Sequence, residues 1–138
     1  MRTKTLLLFV LLFTGMVFSQ QNNTTKQISF GEVLSLLGIY RLSSLKQEIG
    51  LYGYRPDWEY RDTYKKGMHS FKMFRKGNDD FFTYLETNLS AEREESLKTE
   101  ALAAGFNIVK EDPENIEMSN NIFVIYVKKG QQIEITRK

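Results

Sequence analysis

An internal repeat constrains the fold of this chain more than any other feature. The stretches "SLKQEIGLYGY" (44–54) and "SLKTEALAAGF" (96–106) lie 52 residues apart, with Ser, Leu, Lys, Glu, Gly and a final aromatic residue at the same positions. The match continues at the same offset from "SFKMFRK" (70–76) to "IFVIYVK" (122–128). A match over both stretches at one offset indicates that a structural unit occurs twice.

Each copy of the repeat begins with an amphipathic helix. The apolar residues at helical spacing are Leu45, Ile49 and Tyr52 in the first copy and Leu97, Ala101 and Ala104 in the second. Ser43 or Ser44 is predicted to cap the first helix and Ser90 the second. Gly53 and Gly105 follow the last helical residues, so we expect both to adopt the left-handed conformation that ends a helix.

An additional short helix is predicted over 30–37, before the first repeat. Ser29 and Glu32 have the spacing of a capping box, and Gly38 follows the last apolar residue. Strands are predicted near 54–62, 68–76 and 80–87 in the first unit and near 106–111, 121–128 and 132–137 in the second. The predicted fold class is therefore α+β, with two tandem α-β-β-β repeats (about 43–87 and 95–137) forming a six-stranded antiparallel sheet with helices on one face.

The first 19 residues have the layout of a secretory signal peptide. Arg2 and Lys4 precede the apolar run 6–13, and Val17 and Ser19 occupy the −3 and −1 positions of a cleavage site. A membrane anchor is the alternative, but a spanning helix needs about 20 apolar residues. We therefore expect an exported protein, periplasmic or extracellular, in which the polar residues 20–28 form a flexible leader and residues 29–138 one domain.

The composition of the expected mature chain excludes some classes of partner. Without Arg2 and Lys4, the 19 Lys and Arg residues fall to 17, which equals the 17 Asp and Glu residues. A near-neutral chain lacks the basic surface that nucleic acids require. The chain contains no cysteine, so neither disulfides nor a lipid attached to an N-terminal cysteine is expected, and stability must come from apolar burial.

Alternation along the second hairpin predicts which side chains face the helices. If residue 76 faces 80 in the first hairpin, the inward residues there are Phe71, Met73, Phe81, Thr83 and Leu85. The residues then predicted to face outward, and to form a binding surface, are Lys72, Phe74, Phe82, Tyr84 and Tyr126. Exposed aromatic residues favour a protein-binding surface. The alternative is that the leader, the 30–37 helix or a second copy of the chain covers them.

Residues that could carry catalysis are sparse. His69 is the single histidine, and no group of His and carboxylate residues has the spacing of a metal site. Asp79 and Asp80 lie where a hairpin turn is predicted, and residues 64–66 look like a solvated loop. We therefore predict no metal, no cofactor and no enzymatic activity.

The paired "LxxxxxxxGY" and "LxxxxxxxGF" motifs at 45–54 and 97–106 resemble those of small exported proteins of Gram-negative bacteria that are built from tandem units. The doubled helix-plus-sheet plan is also similar, in architecture only, to the beta-lactamase inhibitor proteins. That resemblance implies a partner bound on the exposed face of the sheet, and it carries over no residues.

The function predicted from the sequence is an exported, non-enzymatic protein-binding module of inhibitor or immunity type. The alternative is an envelope structural or assembly protein that self-associates through the same sheet face, and a third is an unrecognised hydrolase. We expect a monomer or a weak homodimer, with neither nucleic acid nor a membrane anchor as a stable partner.

Overall fold

The computed structural model describes residues 27–39, 42–77 and 79–138. The predicted signal peptide and all but the last two residues of the predicted leader lie outside the described residues. The helices are α1 (Phe30–Leu37), α2 (Leu42–Leu51) and α3 (Ala91–Ala103). The strands are β1 (Arg55–Pro56), β2 (Thr63–Lys66), β3 (His69–Lys76), β4 (Asp79–Thr87), β5 (Asn107–Glu111), β6 (Asn115–Ser119), β7 (Phe123–Lys128) and β8 (Gln132–Arg137).

Side-chain caps fix the start of two helices. At α1 the hydroxyl of Ser29 accepts a hydrogen bond from the backbone N–H of Glu32 (3.3 Å), and the Glu32 carboxylate accepts one from the Ser29 N–H (2.9 Å). This confirms the predicted capping box. At α3 the Ser90 hydroxyl accepts from the Arg93 N–H at 3.1 Å, as predicted. The predicted cap of α2 is wrong, because that helix begins at Leu42 and so contains the two serines that follow.

The two repeated glycines end their helices in the same way. Gly53 has φ 88° and Gly105 has φ 84°, which confirms the predicted left-handed conformation. The next residue in each unit then donates its backbone N–H to a helix carbonyl, Tyr54 to Ile49 at 3.2 Å and Phe106 to Ala101 at 3.0 Å. The reversed chain direction buries both aromatic rings in the core.

The strands of the described residues form one antiparallel sheet in the order β1-β2-β3-β4-β8-β7-β6-β5. The α+β class and the antiparallel sheet are confirmed, but the predicted number of six strands is wrong, because the sheet has eight. Residues 54–62 were predicted to be one strand. Instead, β1 contains two residues, the chain leaves the sheet over 57–62, and it returns as β2. The segment 115–119, predicted to be a loop after Pro113, is β6.

Each unit therefore consists of a helix and four strands that form a meander. The two meanders join where β4 pairs with β8, so the strand order of the second unit mirrors that of the first. At an offset of 52 residues, the first three strands of the first unit align in the sequence with β5, β6 and β7 of the second.

The first hairpin is one residue shorter than the second. The faces predicted for the side chains of β4 are therefore wrong. Lys76 pairs with Asp79 rather than with residue 80, whereas Lys128 pairs with Gln132 as predicted. A shift of one residue moves every side chain of a strand to the opposite face. Phe82 and Tyr84 were predicted to face outward; both are instead 2% exposed, on the face covered by helices.

The core lies between the helices and one face of the sheet, which we call the inner face. Its largest fully buried side chains are Phe71, Phe82, Leu37, Leu45, Ile49, Leu97, Met118, Ile125, Ile133 and Ile135. The opposite side of the sheet, the outer face, is covered by none of the described helices. None of those helices combines the length and apolar character needed to cross a bilayer.

Candidate functional site

The outer face retains part of the predicted aromatic surface. Phe74 is 43% exposed, and its ring stacks on that of Phe81, with the centroids 5.6 Å apart and the planes 16° from parallel. Tyr126 is 46% exposed and lies opposite Glu134, as the second hairpin predicted. Lys72 is also exposed on this face, opposite Thr83.

The predicted grouping of these aromatic residues into one cluster is wrong. Phe82 and Tyr84 are part of the core, and the remaining two positions are far apart. Tyr126 shares a row of the sheet with Leu85, whereas Phe74 shares one with Phe81. Four residues along β4 correspond to about 13 Å at about 3.3 Å per residue. The predicted aromatic residues that remain on the outer face therefore occupy two separate positions.

A groove on the outer face lies within the first unit. We call it the outer groove; it has a volume of about 260 Å³ and lies between the 57–62 loop and strands β2–β4. Its lining residues are Asp57, Tyr60, Thr63, Lys65, Met68, Ser70, Lys72, Leu85 and Thr87. The sequence prediction missed this groove, because residues 54–62 were interpreted as a continuous strand.

The loop that walls the outer groove is held at both ends. The Asp57 N–H donates to the Thr63 carbonyl at 2.8 Å, and the Asp57 carboxylate accepts from the N–H groups of Glu59 and Tyr60 at 2.8 and 3.3 Å. At the other end the Asp62 carbonyl accepts from the N–H of a β3 residue at 2.9 Å. These bonds present Trp58, the single tryptophan of the chain, at 94% exposure beside the groove.

Two lysines give the outer groove its charge. Lys65 pairs with Ser70, and Thr63 pairs with Lys72, so the two lysines are diagonal neighbours on one face of adjacent strands. Such positions are about 7–8 Å apart. Within the part of the chain that the structure describes, neither ammonium group has a salt-bridge partner. The Asp57 carboxylate offsets part of this positive charge, although it is occupied by its own loop.

The repeat shows that the outer groove is a departure from the common unit. The 57–62 loop corresponds to residues 109–114 at the offset of 52. In the second unit, β5 continues to Glu111 and a turn at Asp112 leads directly into β6. In the first unit a loop therefore replaces the paired strand. This loop carries Trp58 and Tyr60 at the positions that Lys110 and Asp112 occupy in the second unit.

A second cavity lies on the inner face, between α1, α3 and the sheet, with a volume of about 520 Å³. At its floor the Glu86 carboxylate, 6% exposed, accepts hydrogen bonds from Arg93 Nε at 2.8 Å and Arg93 Nη2 at 3.1 Å. The Tyr84 hydroxyl lies 3.3 Å from Glu86 Oε2 and 2.6 Å from His69 Nδ1. We call these four residues the polar cluster.

The charges of the polar cluster are paired with one another. Burial, followed by the negative charge of Glu86, raises the pKa of Tyr84 far above its ordinary value. The hydrogen bond to Glu86 raises the pKa of Arg93, which stays cationic. A protonated phenol between an occupied carboxylate and an imidazole is a poor nucleophile. The arrangement therefore ties α3 to the sheet.

Among the described residues, no three or more His, Cys, Asp or Glu side chains are grouped so that they could hold a metal ion. Comparison of the chain with protein-family models, with curated proteins and with solved structures found no match.

Proposed function

We propose that this protein is an exported, non-enzymatic binding module of inhibitor or immunity type, and that it holds a partner protein on the outer face of its sheet. The observation that carries the proposal is an eight-stranded sheet with one face that none of the described helices covers. That face carries partly exposed aromatic side chains at Phe74 and Tyr126. Antiparallel sheets with one solvated face usually carry polar residues there.

The dimensions of the outer face favour a folded protein as the partner. Eight strands spaced about 4.8 Å apart span about 34 Å, and strands of five or six residues are about 18 Å long. The resulting area, on the order of 600 Å², approaches the roughly 800 Å² that each partner contributes to a standard protein interface. Two aromatic positions at a distance from each other are better suited to such an interface than to one small ligand.

The remaining parts of the proposal rest on the sequence. The layout of residues 1–19 supports export. The single histidine and the paired charges of the polar cluster support a role in binding rather than in catalysis.

The test is affinity capture followed by direct binding of the purified partner. The tagged protein is exposed to periplasmic and secreted proteins of the source cells, and the affinity of the captured protein is then measured by calorimetry. We expect Phe74→Ser and Tyr126→Ser to weaken binding at least tenfold. Leu102→Ser is the matched control, because Leu102 is 47% exposed on α3, on the helical side. Equal loss in all three variants would contradict binding through the outer face.

Self-association through the same face is the second candidate, favoured by the same exposed aromatic residues. Sedimentation velocity over a range of protein concentrations separates the two functions. A dimer that Phe74→Ser dissociates and Leu102→Ser does not would support an assembly role. A monomer at every concentration would leave the binding module as the proposal.

A further inference from the structure

We infer that the outer groove receives an acidic side chain of the partner, presented on an extended segment with apolar residues beside the carboxylate. The inference rests on the proposed function and names the chemistry of the contact. Lys65 and Lys72 supply the recognition of charge, while Tyr60, Met68 and Leu85 supply the apolar contact.

The charge of the outer groove selects an anion. The ammonium groups of two lysines at diagonal positions, about 7–8 Å apart along the backbone, can converge on one carboxylate, because lysine side chains are long and flexible. Hydrogen bonds between ionised groups are roughly twice as strong as those between neutral groups. The two lysines have no ion-pair partner among the described residues, so binding a carboxylate breaks no existing salt bridge.

The size of the outer groove limits what can enter. Pockets for drug-sized ligands measure about 300–1,000 Å³, whereas this groove measures about 260 Å³. One or two side chains fill it. Its floor is formed by strands and its wall by a loop, and Ser70 and Thr87 contribute hydroxyl groups to the lining. An extended segment that inserts alternate side chains matches this shape.

The wall of the outer groove is fixed before any partner arrives. The bonds from Asp57 to its own loop and to Thr63 hold residues 57–62 in place, and a preorganised loop lowers the entropy lost on binding. Asp57 also contributes one negative charge to the lining. The two lysines outnumber this one carboxylate, so the lining keeps a net positive charge.

The experiment uses an acetylated and amidated pentapeptide, Glu-Leu-Glu-Leu-Glu, as the probe, with Gln-Leu-Gln-Leu-Gln as its neutral counterpart. Affinities are measured by calorimetry at low and at physiological salt, and Trp58 fluorescence reports binding beside the groove. We expect saturable binding of the acidic peptide, at least tenfold weaker binding of the neutral one, and weakening as salt is raised. The changes Lys65→Gln and Lys72→Gln should each weaken binding at least fivefold.

Matched control variants are Lys110→Gln and Lys128→Gln, which remove exposed cations from the outer face of the second unit. They should leave the affinity unchanged. Equal affinity for the two peptides, equal loss in the control variants, or no saturable binding at millimolar peptide would each overturn the inference. The proposed function fails separately, through the capture assay with Phe74→Ser and Tyr126→Ser. A partner that depends on those residues but tolerates Lys65→Gln and Lys72→Gln would leave the function standing and overturn the acidic contact.

Discussion

Thr83 and Thr136 pair with each other where the two units join, and their hydroxyl oxygens lie 3.4 Å apart on the outer face. Once the extra residue of the second hairpin is counted, these threonines occupy equivalent positions in β4 and β8. The pair therefore lies on the pseudo-twofold axis that relates the two meanders. Such an axis is that of an isologous dimer, here within a single chain, and it explains why all the repeated helices lie on one face.

The symmetry also marks where the chain departs from it. The helix α1 precedes the first unit alone, and the 57–62 loop replaces paired strand in that unit alone. The polar cluster depends on β3, β4 and α3, whereas the outer groove depends on the 57–62 loop. The fold shared by the two units thus forms the sheet, whereas α1 and the outer groove occur in the first unit alone.

The first prediction concerns the face that β4 presents to the core. Phe82→Ala should destabilise the protein by about 3–5 kcal/mol, the usual cost of truncating a buried phenylalanine, because Phe82 is fully buried. Phe81→Ala should cost about 1 kcal/mol, mainly through the loss of its stacking on Phe74. Urea unfolding followed by circular dichroism measures both values. A larger loss for Phe81→Ala would place β4 in the register expected from the sequence.

The helix ends and the repeat could be predicted from the sequence because they depend on local residues. Ser29, Ser90, Gly53 and Gly105 act through backbone atoms within a few positions of themselves. The face of β4 could not be predicted in this way. Residues 81, 83 and 85 would lie on one face of β4 and residues 82 and 84 on the other. Both sets contain large apolar or aromatic side chains, so the pattern does not indicate which set faces the core. The length of the first hairpin decides the face, and both lengths fit the same turn residues.

The outer groove could not be predicted for a different reason. A strand of two residues carries no periodicity, so β1 cannot be distinguished from the loop that follows it. The strand β2 has the sequence Thr-Tyr-Lys-Lys, and only its pairing with β3 makes it a strand. Tertiary pairing therefore overrides local preference at these positions.

The second prediction concerns the left-handed glycine after α3. Gly105→Ala should destabilise the protein by about 1–2 kcal/mol, because φ is 84° and a Cβ disfavours that conformation. The space around the position is open, so the cost is conformational rather than steric. Gly31→Ala is the control: Gly31 lies within α1, also in open space, and alanine should stabilise that helix by about 0.5–1 kcal/mol. Opposite shifts of the melting temperature are expected, and a neutral Gly105→Ala would contradict the argument.

The third prediction concerns the buried ion pair. Glu86→Gln leaves Arg93 with only the more exposed carboxylate of Glu100, which lies 3.6 Å away, and breaking a buried pair usually costs about 3–5 kcal/mol. Because the Arg93 side chain is about one-third exposed, we expect a value at the lower end. The double change Glu86→Leu with Arg93→Leu removes both charges and should recover most of the loss. Urea midpoints measure the loss of stability. A double variant as unstable as Glu86→Gln would show that the pair stabilises the fold by more than the mutual compensation of its two charges.

The fourth prediction concerns stability at alkaline pH. Burial and the nearby charge of Glu86 raise the pKa values of Tyr54 and Tyr84 well above the ordinary value of about 10. The unfolded chain releases these protons above about pH 10 while the folded protein keeps them. The contribution of each phenol is therefore fully present below pH 10 and is lost as the pH rises above it, at about 1.4 kcal/mol per pH unit.

Comparison of the Tyr84→Phe variant with the parent protein separates the ionisation of Tyr84 from the titration of lysines, because the lysines are the same in the two proteins. The variant loses the hydrogen bond to Glu86 and the 2.6 Å contact with His69 Nδ1, which lowers stability by a constant amount between pH 9 and about pH 10. Above that pH its free energy of unfolding should fall less steeply than that of the parent protein, by about 1.4 kcal/mol per pH unit. Urea unfolding at half-unit steps from pH 9 to about pH 11.5 measures the difference, and absorbance at 295 nm follows phenol ionisation. Two results would contradict the prediction that the Tyr84 phenol stays protonated in the folded protein. They are parallel plots of unfolding free energy against pH for the two proteins, and ionisation of Tyr84 near pH 10 in the folded state.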